Sequence, residues 1–360
     1  MRKPFFTAIP SILTLFFVAA LGFSSWAQHS EENHGDSTKV QSHSDSTAAD
    51  SHNEEHAKFN PNETIIEHVK DDHQWHFTDH LVLPLPVIVF SRDKGLNIFS
   101  SSHFYGEHHN KVEYNGYKLE GQKILLTSTG EKVLDLSITK NVAMLFINAT
   151  VLLLVFFSVA KAYKNNTGKA PKGLQSFIEP IVVFVRDEIV KQNIGHHYEK
   201  YLPYILTLFF FILFGNLLGL LPGAANLTGN IAVTFTLAIL TFLITNFSGN
   251  ASYWKHIFWT PGVPLPLRII ILPVEIIGIF TKPFALTIRL FVAITAGHIV
   301  ILSLICLAFI FHRYSVGIGA SLVVVFINLI ELLVAGIQAY VFALFTSLYI
   351  GMATAGDEHH

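Results

Sequence analysis

Cysteine is nearly absent. Cys306 is the single one in 360 residues and lies in an apolar run, which excludes a disulfide framework and a Cys-based metal site. Charge is scarce as well. Asp, Glu, Lys and Arg make up 14% of the chain against 51% hydrophobic residues, a balance found in polytopic membrane proteins. Motifs of self-contained chemistry are missing: there is no P-loop, no GxSxG turn and no HExxH helix. The chain is therefore not expected to be an enzyme on its own, and no cofactor, metal or nucleic-acid partner is expected. The net charge of −2 decides little, because the charges are unevenly placed.

What charge there is sits in few places. From Tyr201 to Ile350 the ionisable Asp, Glu, Lys, Arg and His residues are Lys255, His256, Arg268, Glu275, Lys282, Arg289, His298, His312, Arg313 and Glu331. Arg289 occupies the middle of the apolar stretch Leu286-Thr-Ile-Arg-Leu-Phe-Val-Ala-Ile-Thr295, too far from either end to snorkel to water. A bare charge at that depth costs from roughly 3 kcal/mol upward, so it points to a charge-handling role.

Residues 1–27 read as a secretory signal peptide: a basic Met1-Arg-Lys start, an apolar stretch to Phe23, and the small-x-small site Ser25-Trp-Ala27. An uncleaved first helix is the alternative. Either puts the following residues outside the cytoplasm. Residues 28–80 are polar and hold nine histidines, which predicts a disordered extracellular tether for most of that length. Metal buffering by those histidines stays open, although no pair has the spacing of a closed zinc site. Over 81–140, Val87–Phe90, the Asn115-Gly116 turn and Leu125-Leu126 predict a small β-rich extracellular module.

Five apolar blocks follow, over about 142–160, 203–221, 231–247, 269–311 and 316–350. The first three suit a bilayer of ~30 Å. The fourth would reach roughly 65 Å as a helix, so the last two must tilt, bend at Pro273 or Pro283, or run partly in the membrane plane. Two such helices form a hairpin suited to a cylindrical partner. Basic residues cluster after the first span (Lys161, Lys164, Lys169, Lys172, Arg186, Lys191) and after the third (Lys255, His256, Arg268), which places the N-terminus outside and the C-terminus, with the tail 353–360, in the cytoplasm. Leu174, Phe177, Ile178, Ile181, Val185 and Ile189 share one helical face and predict an interfacial helix over 174–192.

Glu275, Lys282 and Arg289 are spaced by seven, close to one helical stripe, while His298 lies half a turn away and further toward the outside. Polar groups thus approach Arg289 from opposite sides of the membrane on different faces, as two offset half-channels would. If the chain turns back around residues 314–315, His298 faces Glu331, and Arg289 meets the neighbourhood of Gln338 and Tyr340. A buried imidazole beside a carboxylate can relay protons. It can also be a structural ion pair, Lys282 can snorkel to the cytoplasmic interface, and Asn216 reads foremost as an interhelical hydrogen bond. His312 and Arg313 read as an interfacial turn.

Over roughly 140–352 the chain resembles subunit a of the F-type ATP synthase. The resemblance is carried by Lys282-Pro-Phe-Ala-Leu-Thr-Ile-Arg-Leu-Phe291 with Ala296-Gly-His298, by Glu331 with Gln338, by Gly215-Asn-Leu-Leu-Gly-Leu-Leu-Pro222 and by Glu275. It implies an all-α membrane domain at 141–352 in a bacterial inner membrane, facing a rotor ring of c subunits and joined by peripheral-stalk b subunits, the other ATP synthase subunits and lipid. It also implies that Arg289 is the essential arginine, that His298 and Glu331 serve the outer half-channel and Glu275 the inner one, and that Gln338 orients Arg289, with Lys282 and Asn216 in support. Many relatives carry the acid and histidine in the reverse order. This chain departs from the family at Val292-Ala293, where Gly-Asn is usual. A stand-alone metal or ion transporter is the alternative, and the choice between H⁺ and Na⁺ stays open.

Overall fold

The computed structural model describes residues 71–78, 81–91, 95–105, 112–120, 123–127, 130–165, 170–221, 223–259, 264–311 and 314–355. The signal-peptide reading, most of the tether, Pro222, His312 and Arg313 lie outside the described residues. Among the described residues, seven short strands precede the long helices: β1 (Gln74–Thr78), β2 (Leu81–Pro84), β3 (Pro86–Ser91), β4 (Gly95–Ser100), β5 (Tyr117–Glu120), β6 (Lys123–Leu126) and β7 (Leu134–Asp135). All pairings are antiparallel: β1 with β2, β4-β3-β7 as a three-stranded sheet, and β5 with β6. At the Asn115-Gly116 turn both residues have positive φ, as a tight hairpin turn requires. Val87, Val89, Phe104, Tyr117, Leu119, Ile124, Leu126 and Val133 form the core of this part.

The expected tether ends earlier than its sequence predicts. His73 and Trp75 are buried, and β1 already belongs to the sheet region. Trp75 Nε1 donates to Gly223 O at 2.6 Å, and His73 Nε2 lies 3.1 Å from Asp135 Oδ2. These long-range partners outweigh a polar composition.

The helices are α1 (Lys140–Asn165), α2 (Leu174–Phe184), α3 (Tyr198–Gly219), α4 (Ile231–Phe247), α5 (Ala251–Phe258), α6 (Leu265–Phe311) and α7 (Tyr314–Thr354). α2 passes into a π-helical segment, Val185–Lys191, before the chain breaks at Gly195 with φ 69°. Among the described residues, four helical spans are long and apolar enough to cross a membrane, or five if α4 and α5, bent by 102°, count as one. The chain is a predominantly helical multi-pass membrane protein. α6 runs unbroken through Pro273 and Pro283, and at 47 residues it reaches ~70 Å, more than twice a bilayer's hydrocarbon.

α1 begins on borrowed acceptors. Asp72 O accepts from Lys140 N at 3.0 Å, and Asp71 Oδ1 accepts from Asn141 N at 3.2 Å. These satisfy amides that no helical carbonyl can reach. α3 lies at the centre, with Ile205, Phe210 and Ile212 fully buried, packed against α1 and α7, while α4 packs on α6. Of the apolar stripe predicted over 174–192, Ile178, Val185 and Ile189 are buried within the chain, and Leu174 and Phe177 are exposed.

Candidate functional site

α6 and α7 pack side by side as antiparallel neighbours. His298 Nδ1 lies 3.1 Å from Glu331 Oε1. The approach is off the line of the imidazole N–H, so neither carboxylate oxygen has a hydrogen-bond partner, although Glu331 is only 3% exposed. Space for that carboxylate comes from Gly297. A Cβ there would stand 2.9 Å from Glu331 Oε1.

Arg289 goes elsewhere than the hairpin register predicts. Its guanidinium lies over the ring of Phe345, 4.5 Å from the centroid, and among the described residues it makes no hydrogen bond or ion pair. Among the same residues Gln338 makes no hydrogen bond to it, and Tyr340 stacks on Phe184 of α2 instead. The reason is directional. A long side chain on a helix leans toward that helix's N-terminus, which in an antiparallel hairpin means toward higher numbers on the partner. Lys282 behaves likewise, its Nζ 5.3 Å from the ring of Tyr349. Phe345 and Tyr349, with ring centroids 5.9 Å apart, thus form a two-ring support for two cations. Sequence reasoning missed both rings. Their signal was the spacing of Glu331, Gln338 and Phe345 by seven, which matches the stripe of Glu275, Lys282 and Arg289.

Arg289 is exposed on a flank where Phe284, Ile288 and Val292 are also bare. A guanidinium there, backed by a ring and lacking an anion of its own, can meet a carboxylate brought by another molecule.

Toward the α4 side, a small cavity of about 10 Å³ is lined in part by Thr241, Thr245, Asn246, Tyr253, Lys282 and Tyr349. That is close to the least space that holds one water. Thr245 Oγ1 and Asn246 Oδ1 are buried without protein partners. Thr241 extends the polar path into the helix core, 2.9 Å from Tyr204 Oη and 3.4 Å from Thr346 Oγ1. Glu275 is half-buried and within electrostatic reach of Tyr253 and Lys282. Asn216 is a tie between helices, donating to Ala335 O at 3.3 Å and accepting from Thr228 Oγ1 at 2.6 Å.

Comparison with known proteins places the chain in a family. The family model described as "ATP synthase A chain" matches residues 142–351, and a domain of unknown function, DUF8433, matches 64–145. The "ATP synthase subunit a" of Chloroherpeton thalassium is 41% identical over 94% of this chain and 88% of its own length. The "ATP synthase subunit a 2" of Chlorobaculum tepidum is 50% identical over 63% of this chain and 66% of its own. The "ATP synthase subunit a" of Chlorobium phaeobacteroides strain DSM 266 is 45% identical over 70% of this chain and 75% of its own.

Proposed function

The chain belongs to the ATP synthase A chain family, and on that premise we propose that it is the membrane stator that carries protons past the rotor of an F-type ATP synthase. Its partners in this reading are the ring of c subunits, the b subunits of the peripheral stalk and the remaining subunits of the complex. The chain performs no catalysis alone. The observation that carries the reading is Arg289: a charge at membrane depth, held against Phe345, open outward and without an anion of its own among the described residues.

In this mechanism a proton enters from outside through His298 and Glu331, which pass it to an ionised rotor carboxylate. The neutral carboxyl then rotates into lipid. A rotor carboxyl arriving from the other direction releases its proton toward the cavity beside Lys282 and out past Glu275, and the resulting carboxylate meets Arg289. The guanidinium keeps its charge when buried, so it stabilises the ionised form and repels protons that would cross directly. Gln338 sits half-buried on the stripe between Glu331 and Phe345 and lines the approach. Lys282 and Asn216 support the seam. The positive-inside pattern favours an inner-membrane orientation with the region before residue 140 outside, and with the domain limits 28–80, 81–140 and 141–352 read from the sequence.

The test is ATP-driven acidification of inverted membrane vesicles carrying wild type or Arg289→Ala. Pumping should vanish while the chain remains in the membrane. Undiminished pumping by the variant would overturn the mechanism.

A further inference from the structure

The three-stranded sheet has two apolar faces. Val87, Val89 and Val133 turn inward onto Phe104 and Tyr117. On the other side, the register pairs Ile88 with Ile98, and Phe90 with both Leu96 and Leu134. Leu136 is two residues beyond Leu134, with its N–H bonded to Ile88 O, so it joins the same face. Leu96 is 59% and Ile98 65% exposed, and Phe90, Leu134 and Leu136 are also exposed. An antiparallel sheet with one face in a core ordinarily shows polar residues on the other when that face meets water. A contiguous apolar patch on a soluble surface marks a contact.

We propose that this sheet face rests on lipid, as a foot of the outer region on the membrane surface. The inference needs only that the chain crosses a membrane, and it holds whatever the role of Arg289. Three observations select lipid. First, the face is continuous with the membrane-facing surface. Strand pairing extends through Ile138 N to Pro86 O, so Leu134, Leu136 and Ile138 form a row that stops two residues before α1. That distance is no more than ~7 Å of chain. Second, the region cannot swing away. It is tied to α1 through Asp71 and Asp72, and to the loop between α3 and α4 through Trp75 and Gly223 O. Third, Ser100 at the edge, its hydroxyl already engaged by Ser102, is the exception on this face. Its other named side chains bring neither donors nor acceptors, whereas a protein partner's surface normally supplies about one hydrogen bond per 100–200 Å². Hydrocarbon and the interfacial zone ask for none.

The test uses the full chain in its complex, reconstituted in phosphatidylcholine vesicles, with Cys306→Ser and a single cysteine placed by Leu96→Cys, Ile98→Cys or Glu120→Cys. Glu120 is exposed on the far side of the same region. Each is labelled with an environment-sensitive fluorophore. Nitroxide lipids should quench the labels at 96 and 98 several-fold more than the label at 120, and aqueous iodide should reverse that order. Equal iodide quenching at all three sites would put the face in water and overturn the proposal. Protection of 96 and 98 from both quenchers would show a protein partner or a second copy and overturn it too. Should the variants fail to assemble, a photoactivatable lipid applied to the unsubstituted chain gives the same reading. Adducts within 86–99 are expected, and adducts confined to the helices would refute the foot.

Discussion

The span ending in α3 and the hairpin of α6 and α7 are both strongly apolar, yet the most apolar stretch of the first is 72% buried, against 17% and 11% for the other two. Between Leu202 and Phe247 there is no Asp, Glu, Lys, Arg or His, whereas Glu275, Lys282, Arg289, His298 and Glu331 all lie on the bare pair. Hydropathy fixes the solvent of a helix and says nothing of its neighbour. The division comes with the ionisable residues: α3 is core, and the hairpin leaves most of its apolar surface bare within the chain.

The contrast breaks first at Phe210, fully buried in α3. Phe210→Ala should cost roughly 3–5 kcal/mol, whereas Leu329→Ala on the bare face of α7 should stay within about 0.5 kcal/mol. Thermal unfolding of the detergent-solubilised chain measures both. Equal losses would mean that the hairpin is packed after all.

Gly297 sharpens the contrast, because it shows that the bare helices have one tight seam. Gly297→Ala pushes a methyl to within 2.9 Å of Glu331 Oε1. Proton pumping should fall about tenfold, a change of ~1.4 kcal/mol, with the chain still inserted and the unfolding temperature little changed. Unaltered pumping would mean that the Glu331 position is not critical.

Asn216 links the two regions. Asn216→Leu leaves Thr228 Oγ1 without its 2.6 Å acceptor, and should cost about 1–3 kcal/mol. The same unfolding assay reads it, and a neutral result would reduce the tie to ordinary packing.

The smallest effect lies outside both regions. Burial pushes the His73 imidazole toward a lower pKa, but its hydrogen bond to Asp135 and that carboxylate's charge outweigh this, and the net shift is upward. Asp135 is also penalised by burial, and the hydrogen bond from His73 takes it below the usual carboxylate range. A raised histidine contributes stability that is fully present below its unfolded pKa of about 6.5 and lost as pH rises through the folded value. A depressed aspartate contributes stability that is lost as pH falls through its own folded value. Amide exchange over residues 74–135 should therefore be slowest in mildly acidic buffer and quicken as pH rises past the histidine's range, after correction for intrinsic exchange. His73→Gln should flatten the dependence. A profile unchanged by that substitution would exclude the pair as its cause.

Much of this was legible. Apolar runs gave α1, α3, α4, α6 and α7 within a few residues, and counting back from the turn near residue 314 brought His298 to Glu331. Counting by Cα position failed at Arg289, because a long side chain reaches about a turn along its own helix before it meets the partner. The 102° bend after Phe247 was hidden, since Ser248-Gly249-Asn250 reads as any polar loop; Asn250, donating to Ala353 O and Thr354 O, fixes the turn from the far end of the chain. The polar texture of 71–78 likewise concealed a strand where the side chains of His73 and Trp75 have remote partners.

The first membrane helix takes its beginning from residues that are not in it. Its opening amides are met by Asp71 and Asp72, about seventy positions upstream. Synthesis delivers those acceptors before Lys140 emerges. The point at which the helix starts is thereby fixed by residues that precede it, as a depth gauge fixes a drill. A chain trimmed back to Leu81 would keep every apolar residue of that span and lose the stop that levels it.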